Sequence, residues 1–306
     1  MKKVPVLIVI LGLFISCGQR RQEQAAPAVA LVMKTLNNPF FMDMQQGAEE
    51  AAKTLQLPLI VQAAERELDV EKQMQIIENL IQRKVAAICL TPAGSREVIP
   101  AILKANQAGI PVLILDTRVD SAALAEAGGE VATFIGSDNF DGGRIAGERI
   151  IEKLGGEGRV AILEGIPGHE TGDSRLRGFH HAAGQAKGIR IVASQTANWE
   201  RDQGYNVFQN ILQSHPDVQA VFGCNDMMAL GAVEAIAAAG RTADILVVGF
   251  DAITDAREAI AAGRMEASIA QNPREMGRLA VENAARLIRG EKIPVYIPVR
   301  IELVQK

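Results

Sequence analysis

A chain of 306 residues, 48% of them hydrophobic and 22% charged, is long enough to form about two domains with sizeable cores. Its formal net charge of -4, with basic and acidic residues interspersed, leaves no electrostatic footprint for nucleic acid and excludes that class of partner.

The chain opens on MKKVPVLIVILGLFISC, in which Lys2 and Lys3 precede an apolar run from Val4 to Ile15 that ends in Ser16 and Cys17. That is the layout of a secretory signal over residues 1–16, and the run is too short to cross a hydrocarbon core of about 30 Å as an ordinary helix. Phe14-Ile15-Ser16-Cys17 resembles a bacterial lipobox, although Leu is usual where Phe14 stands. The lipobox reading predicts cleavage before Cys17, lipidation of its thiol and membrane attachment through that lipid alone. A plain signal peptide cut elsewhere, with an unused cysteine, is the alternative. Residues 17–27 then form a polar linker, since GQRRQEQAAP lacks any apolar period.

From Val29 onward, short β-rich apolar runs alternate with stretches of helical period that end at Gly or Pro stops, as after Gly109 and Gly240. The predicted strands cover 29–33, 58–62, 85–90, 111–115, 131–135, 160–163, 189–193, 220–223, 245–249 and 267–270. Most are apolar without alternation, as strands covered on both faces should be. Between the first two, Phe41, Met44, Ala48, Ala52 and Leu55 share a helical face; between the next two, Val70, Met74, Ile77 and Ile81 do. Cys89 and Cys224 sit inside apolar runs in different halves of the chain and read as buried free thiols. The fold class is therefore α/β, with parallel sheets wound on both faces. Ten strands are many for one open sheet, so the chain is expected to pass between two sheets near Ser137 and again near Gln271. The domain reading is a first lobe of 28–137 plus 272–298 and a second of 138–271 plus 299–306, joined by a multi-crossover hinge.

Ligands of open α/β sheets bind beyond the carboxyl ends of the strands. There the chain places Asn37 and Asn38, Thr91, Asp116, Asn225 and Asp226, Asp251, and Gln271. Any one of them could merely cap a helix or start a turn; several strand ends with one inventory point to a shared site. Carboxylates and amides, joined by an arginine from a nearby loop, offer the donors and acceptors that vicinal hydroxyls require, and Phe40, Phe41, Trp199 and Phe250 could cover the C–H faces of a sugar ring. Enzymatic motifs are lacking: KTLNNPFF stands where a GxGxxG turn would follow the first strand, and neither GxxxxGK[ST] nor GxSxG occurs. His169, His180, His181 and His215 have no zinc-motif spacing and read as surface or capping residues, so neither metal nor cofactor is expected.

TLNNPFF at 35–41, GSDNFDGGRIAG at 136–147, HPDVQAVFGCND at 215–226, VVGFD at 247–251 and IAQNP at 269–273 together give the chain its likeness to a known family. It resembles the periplasmic sugar-binding proteins of the ribose-binding type, the substrate-binding components of ABC sugar importers, which share the lobes of LacI-type repressors. The resemblance runs from about Val29 to the C terminus and implies two lobes that close around a monosaccharide, be it a ribose-like pentose, a hexose or a related polyol. It assigns ligand contacts to Asn38, Phe40 and Phe41 in NNPFF, to Asp116 after VLIL, to Arg175 in RLRGF as a forked donor and to Trp199 as a stacking ring. Asn225, Phe250, Asp251 and Gln271 complete the set. ABC permease subunits and a chemoreceptor are the implied partners, a monomer in the periplasm or cell envelope the implied form.

One position departs from the ribose-specific pattern, which puts an arginine directly after the strand-end aspartate. Here Asp116 is followed by Thr117 and then Arg118, and in an extended chain Arg118 would point to the same side as Asp116. Two other function classes remain. A transcriptional regulator on these lobes would need an N-terminal helix-turn-helix where the export signal stands. An exported sugar-processing enzyme could use Asp116 and Asp251 as acid and base.

Overall fold

The computed structural model describes residues 28–306; the expected signal segment, the linker and Cys17 lie outside them. Apolar runs buried on both faces become the central strands of two sheets. In the first, β1 (Val29–Met33), β2 (Leu59–Ala63), β3 (Ala87–Leu90), β4 (Val112–Leu115), β5 (Thr133–Gly136) and β11 (Tyr296–Pro298) run in the order β11-β5-β4-β3-β1-β2, all parallel. In the second, β6 (Glu157–Glu164), β7 (Gly188–Thr196), β8 (Ala220–Gly223), β9 (Leu246–Asp251), β10 (Ala267–Ala270) and β12 (Glu302–Gln305) run in the order β12-β10-β9-β8-β6-β7. Here the expectation of purely parallel sheets needs correction, because β12 lies antiparallel to β10, with Ala267 opposite Gln305 and Ala270 opposite Glu302.

Helices cover the sheets as their apolar stripes demand. On the first sheet, α1 (Pro39–Thr54) packs against α10 (Pro273–Ile288), and α2 (Val70–Gln82) lies beside α3 (Ile99–Gln107). The buried face of α2 centres on Gln73, Ile76, Ile77 and Leu80, one residue round from the predicted stripe, because the Gln73 carboxamide turns inward to hold the loop after β3. On the second sheet, α5 (Asn139–Lys153) packs against α6 (Glu170–Gln185), and α7 (Arg201–Ser214) against α8 (Asp226–Ala238); the short α4 (Ser121–Glu126) and α9 (Thr254–Ala261) follow β4 and β9. At the α5–α6 crossing the backbones meet so closely that a Cβ on Gly143 would overlap the Arg175 carbonyl.

The chain passes between the sheets three times: from β5 to α5, from β10 to α10, and from β11 to β12. Cys89 and Cys224 are buried free thiols, one at the heart of each lobe, and burial pushes both up to about 12. No helix among the described residues is long and apolar enough to cross a membrane.

Candidate functional site

The carboxyl ends of the two sheets converge on one pocket. From the first lobe come Lys34, directly after β1, then Asn38, Phe40 and Phe41 at the start of α1, Glu67 ahead of α2, and Asp116 at the end of β4. Asn38 caps α1, its Oδ1 accepting from Phe40 N–H at 3.0 Å, and Pro39 takes the first helical turn, where a missing N–H does no harm. That cap sets the two rings edge to face, with centroids 5.3 Å apart.

The second lobe supplies Thr171 and Arg175 from α6, Trp199 from the turn before α7, Asn225 at the start of α8, Asp251 at the end of β9 and Gln271 after β10. Asn225 caps α8 through Met228 N–H at 2.9 Å, while its Nδ2 donates to the Trp199 carbonyl at 3.1 Å. Capping and site formation are thus one arrangement at Asn38 and Asn225, not competing readings. Asp116, Trp199 and Asp251 hold positive φ values of 60°, 68° and 113°. Non-glycine residues reach such conformations at a cost of about 1–3 kcal/mol each, and strain of this kind gathers where a side chain must be aimed.

Nine of the ten side chains predicted from the sequence line the pocket; Phe250 does not. Its ring lies behind Arg175, with the guanidinium carbon 3.7 Å from its centroid, and it supports the arginine instead of forming wall. Of the wider strand-end inventory, Asn37 binds the Glu65 carbonyl, Thr91 receives the Lys34 N–H, and Asp226 sits behind the pocket. Arg118 also departs from expectation. The positive φ at Asp116 breaks the extended chain, so Arg118 turns away and lies over the Phe134 and Tyr296 rings, 3.8 and 4.9 Å from their centroids. Of the histidines expected at the surface or in caps, His180 and His181 are exposed, whereas His169 stands at the N-cap position of α6 but is buried and makes no side-chain cap bond.

Lys34, Glu67 and Thr171 escaped the sequence reading. Lys34 ends the first strand run and carried the same strand-end signal as Asn37; Glu67 and Thr171 lie in charged, helix-starting segments that resemble solvated surface. Together they explain the position next to Asp116. Thr117 Oγ1 accepts from Lys34 Nζ at 2.8 Å and from Thr171 Oγ1 at 2.9 Å, and donates to Asp116 Oδ2 at 2.9 Å, so its one donor and two acceptor sites are all used. Lys34 Nζ stands 3.6 Å from both Asp116 Oδ2 and Glu67 Oε2.

Arg175 is fixed by Nε to Asn139 Oδ1 at 2.9 Å and by Nη1 to the Cys224 carbonyl at 2.6 Å, with Asp251 Oδ1 3.8 Å away. Burial raises the carboxyls of Glu67 and Asp251; Lys34 opposes the rise at Glu67, and Arg175 opposes it at Asp251. Gln271 Nε2 donates to Asp251 Oδ1 at 2.6 Å, yet Gln271 Oε1 is buried with no partner. Native proteins rarely leave a buried acceptor unmet, so this atom calls for a donor from a ligand. No cluster of His, Cys, Asp or Glu among the described residues could hold a metal ion. The pocket can therefore grip a small neutral molecule rich in hydroxyls, edge-on through amides and carboxylates and face-on through rings.

Comparison with known proteins agrees with this geometry. The model of a family described as periplasmic binding protein domain matches residues 29–292. The chain is 38% identical to the ribose import binding protein RbsB of Bacillus subtilis (strain 168), over 99% of each chain. It is 38% identical to the D-allose-binding periplasmic protein of Escherichia coli (strain K12), over 89% of this chain and 90% of that one. Among solved structures, an ABC transporter periplasmic solute binding protein from Actinobacillus succinogenes 130z with bound D-allose superimposes with a TM-score of 0.87 at 43% identity, covering 91% of this chain and 97% of that one.

Proposed function

The chain belongs to the periplasmic binding protein family, in its ribose-binding type, and on that premise we propose that it captures a monosaccharide outside the cytoplasm and delivers it to an ABC importer. One observation carries the reading: two separate sheets bring carboxylate, amide and guanidinium groups, with ring faces beside them, into a single pocket. A pocket shared in this way is assembled when the lobes close, and a ligand bound to one lobe recruits the other. Lobes of 28–137 plus 272–298 and 138–271 plus 299–306 are the bodies that move.

The ligand is neutral. Glu67, Asp116 and Asp251 face only Lys34 and Arg175, so an anion would add uncompensated buried charge. The bound ring lies between Phe40, Phe41 and Trp199, its hydroxyls shared among Asn38, Asp116, Arg175, Asn225, Asp251 and Gln271. Nothing is transformed: Asp116 and Asp251 act as acceptors for hydroxyls, not as acid and base. The chain works as a monomer, meets the permease in its closed form and offers that same form to a chemoreceptor. Lipid on Cys17 holds it to the membrane, and a Cys17→Ser chain should lose incorporation of labelled fatty acid.

The test is a thermal-melt screen of the purified protein against pentoses, hexoses, deoxysugars and polyols, with D-ribose and D-allose at its head and Asp116→Ala as control. A ligand at 100 times its dissociation constant adds about 2.7 kcal/mol of stability. A rise with one sugar that vanishes in the control supports the reading; the absence of any rise across the panel overturns it.

A further inference from the structure

His169 precedes α6, at the seam between the lobes, and only 4% of it is exposed. The Trp199 indole N–H, which can only donate, points at His169 Nδ1 across 3.4 Å, so that nitrogen must be the acceptor and the ring proton must sit on Nε2. The imidazole faces the Ala93 backbone of the first lobe, in the loop that Gln73 grips through Thr91 O at 2.9 Å and Ala93 N at 2.8 Å. The next two residues cross the same seam: Glu170 N donates to Ser95 Oγ at 3.1 Å, and Thr171 Oγ1 to Thr117 Oγ1 at 2.9 Å. Two consecutive residues of the second lobe thus fasten to the first directly beside His169.

We propose that His169 is a positioning residue that latches the lobes and orients the Trp199 wall only while its imidazole is neutral, so that protonation favours the open form and sugar release. The inference rests on the sugar-binding reading and adds a proton to it. A protonated ring would turn Nδ1 into a second donor facing the indole N–H. From the first lobe it faces Lys34, with that residue's partners Glu67 and Asp116, and Glu170, Asp173 and Arg175 follow it along α6. Lys34 is the one that presses on the ring. Burial first, and then the Lys34 ammonium, hold the imidazole down at about 3 in this closed arrangement. Opening removes Lys34 and the loop around Ala93 and returns water, so the ring recovers its ordinary value of about 6.5.

The sign is opposite to that of the carboxyls nearby. Glu67 and Asp251 are raised on closure, so acid acting through them tightens binding, whereas acid acting through His169 weakens it. His169→Gln keeps an acceptor and a donor but cannot titrate. Between pH 7.5 and pH 5.0 the dissociation constant of the wild-type chain should rise by about 30-fold relative to that of the variant, measured by calorimetry. An unchanged ratio overturns the proposal.

Trp199 is the only tryptophan, so its emission gives a readout that needs no sugar. In the ligand-free wild type it should inflect near pH 6.5, and in His169→Gln it should not. A flat wild-type titration, or the same inflection in the variant, overturns the latch whatever the sugar screen finds. Failure of the screen with the inflection present overturns only the sugar reading.

Discussion

Removing the Lys34 ammonium would leave Glu67 and Asp116, both buried within 3.6 Å of it, with no cation between them. Breaking a buried pair from one side costs about 3–5 kcal/mol, and water can relieve that cost only while the lobes are apart. Lys34→Met should therefore weaken sugar binding by at least about 100-fold while the melting temperature of the ligand-free chain stays nearly unchanged. Calorimetry and a melt on the same sample separate the two effects; a large loss in the ligand-free melt would show that Lys34 serves folding instead. Asp226 is the reverse case, because its partners all belong to the second lobe. Its carboxyl accepts from Ser268 Oγ at 2.7 Å and Ile253 N at 2.9 Å and stays dry in either form, and burial pushes it up to about 7. A raised carboxyl contributes stability that is complete below its ordinary value near 3.9 and is lost as pH rises through 7. The ligand-free melting temperature should fall between pH 5 and pH 8, and Asp226→Asn should flatten that fall.

The close crossing of α5 and α6 carries the aim of Arg175. A methyl group on Gly143 meets the Arg175 carbonyl, so Gly143→Ala must push α6 outward and take the guanidinium off Asn139 and Cys224. Overpacking of this kind costs about 1–3 kcal/mol. Here it should appear both as a lower melting temperature and as a weaker sugar affinity. Gly47→Ala, which makes the matching overlap with the Arg274 carbonyl between α1 and α10, should lower the melt with the smaller effect on affinity. Equal losses of affinity in the two variants would break the link between the α5–α6 contact and the pocket.

Which elements could be read in advance follows from how each is covered. Val29–Met33 and Ala220–Gly223 are buried on both faces, and an unbroken apolar run announces such a strand. Tyr296–Pro298 and Glu302–Gln305 are three- and four-residue edge strands with polar or proline-containing sequences, and only their neighbours make them strands. The pocket followed the same rule. Asn38, Asp116, Asn225, Asp251 and Gln271 stood out because a strand end directs them, whereas Glu67 and Thr171 arrive through loops whose course no local pattern encodes. Phe250 was misplaced for a related reason: side chains alternate along β9, and Asp251, not its neighbour, faces the opening.

On the proposed closure, the three passages between the sheets would serve as the hinge, and the bonds from Glu170 to Ser95 and from Thr171 to Thr117 span the lobes beside the pocket. Bound sugar should shrink the molecule as a whole. Small-angle scattering should show a lower radius of gyration with ligand than without, and no change for Asp116→Ala at the same sugar concentration. A radius indifferent to ligand in the wild type would mean that the lobes are already closed and that the pocket fills by another route.

The reversed direction of β12 settles where the chain can be handled. β1 starts, and β12 ends, at the ends of their sheets farthest from the pocket, since Gln305 lies opposite Ala267 at the beginning of β10. Val29 and Lys306 therefore mark opposite poles. Dyes or fused reporters attached beyond them ride on separate lobes, out of the way of sugar and of the seam, and the energy transfer between them becomes a direct optical reading of how much sugar is present.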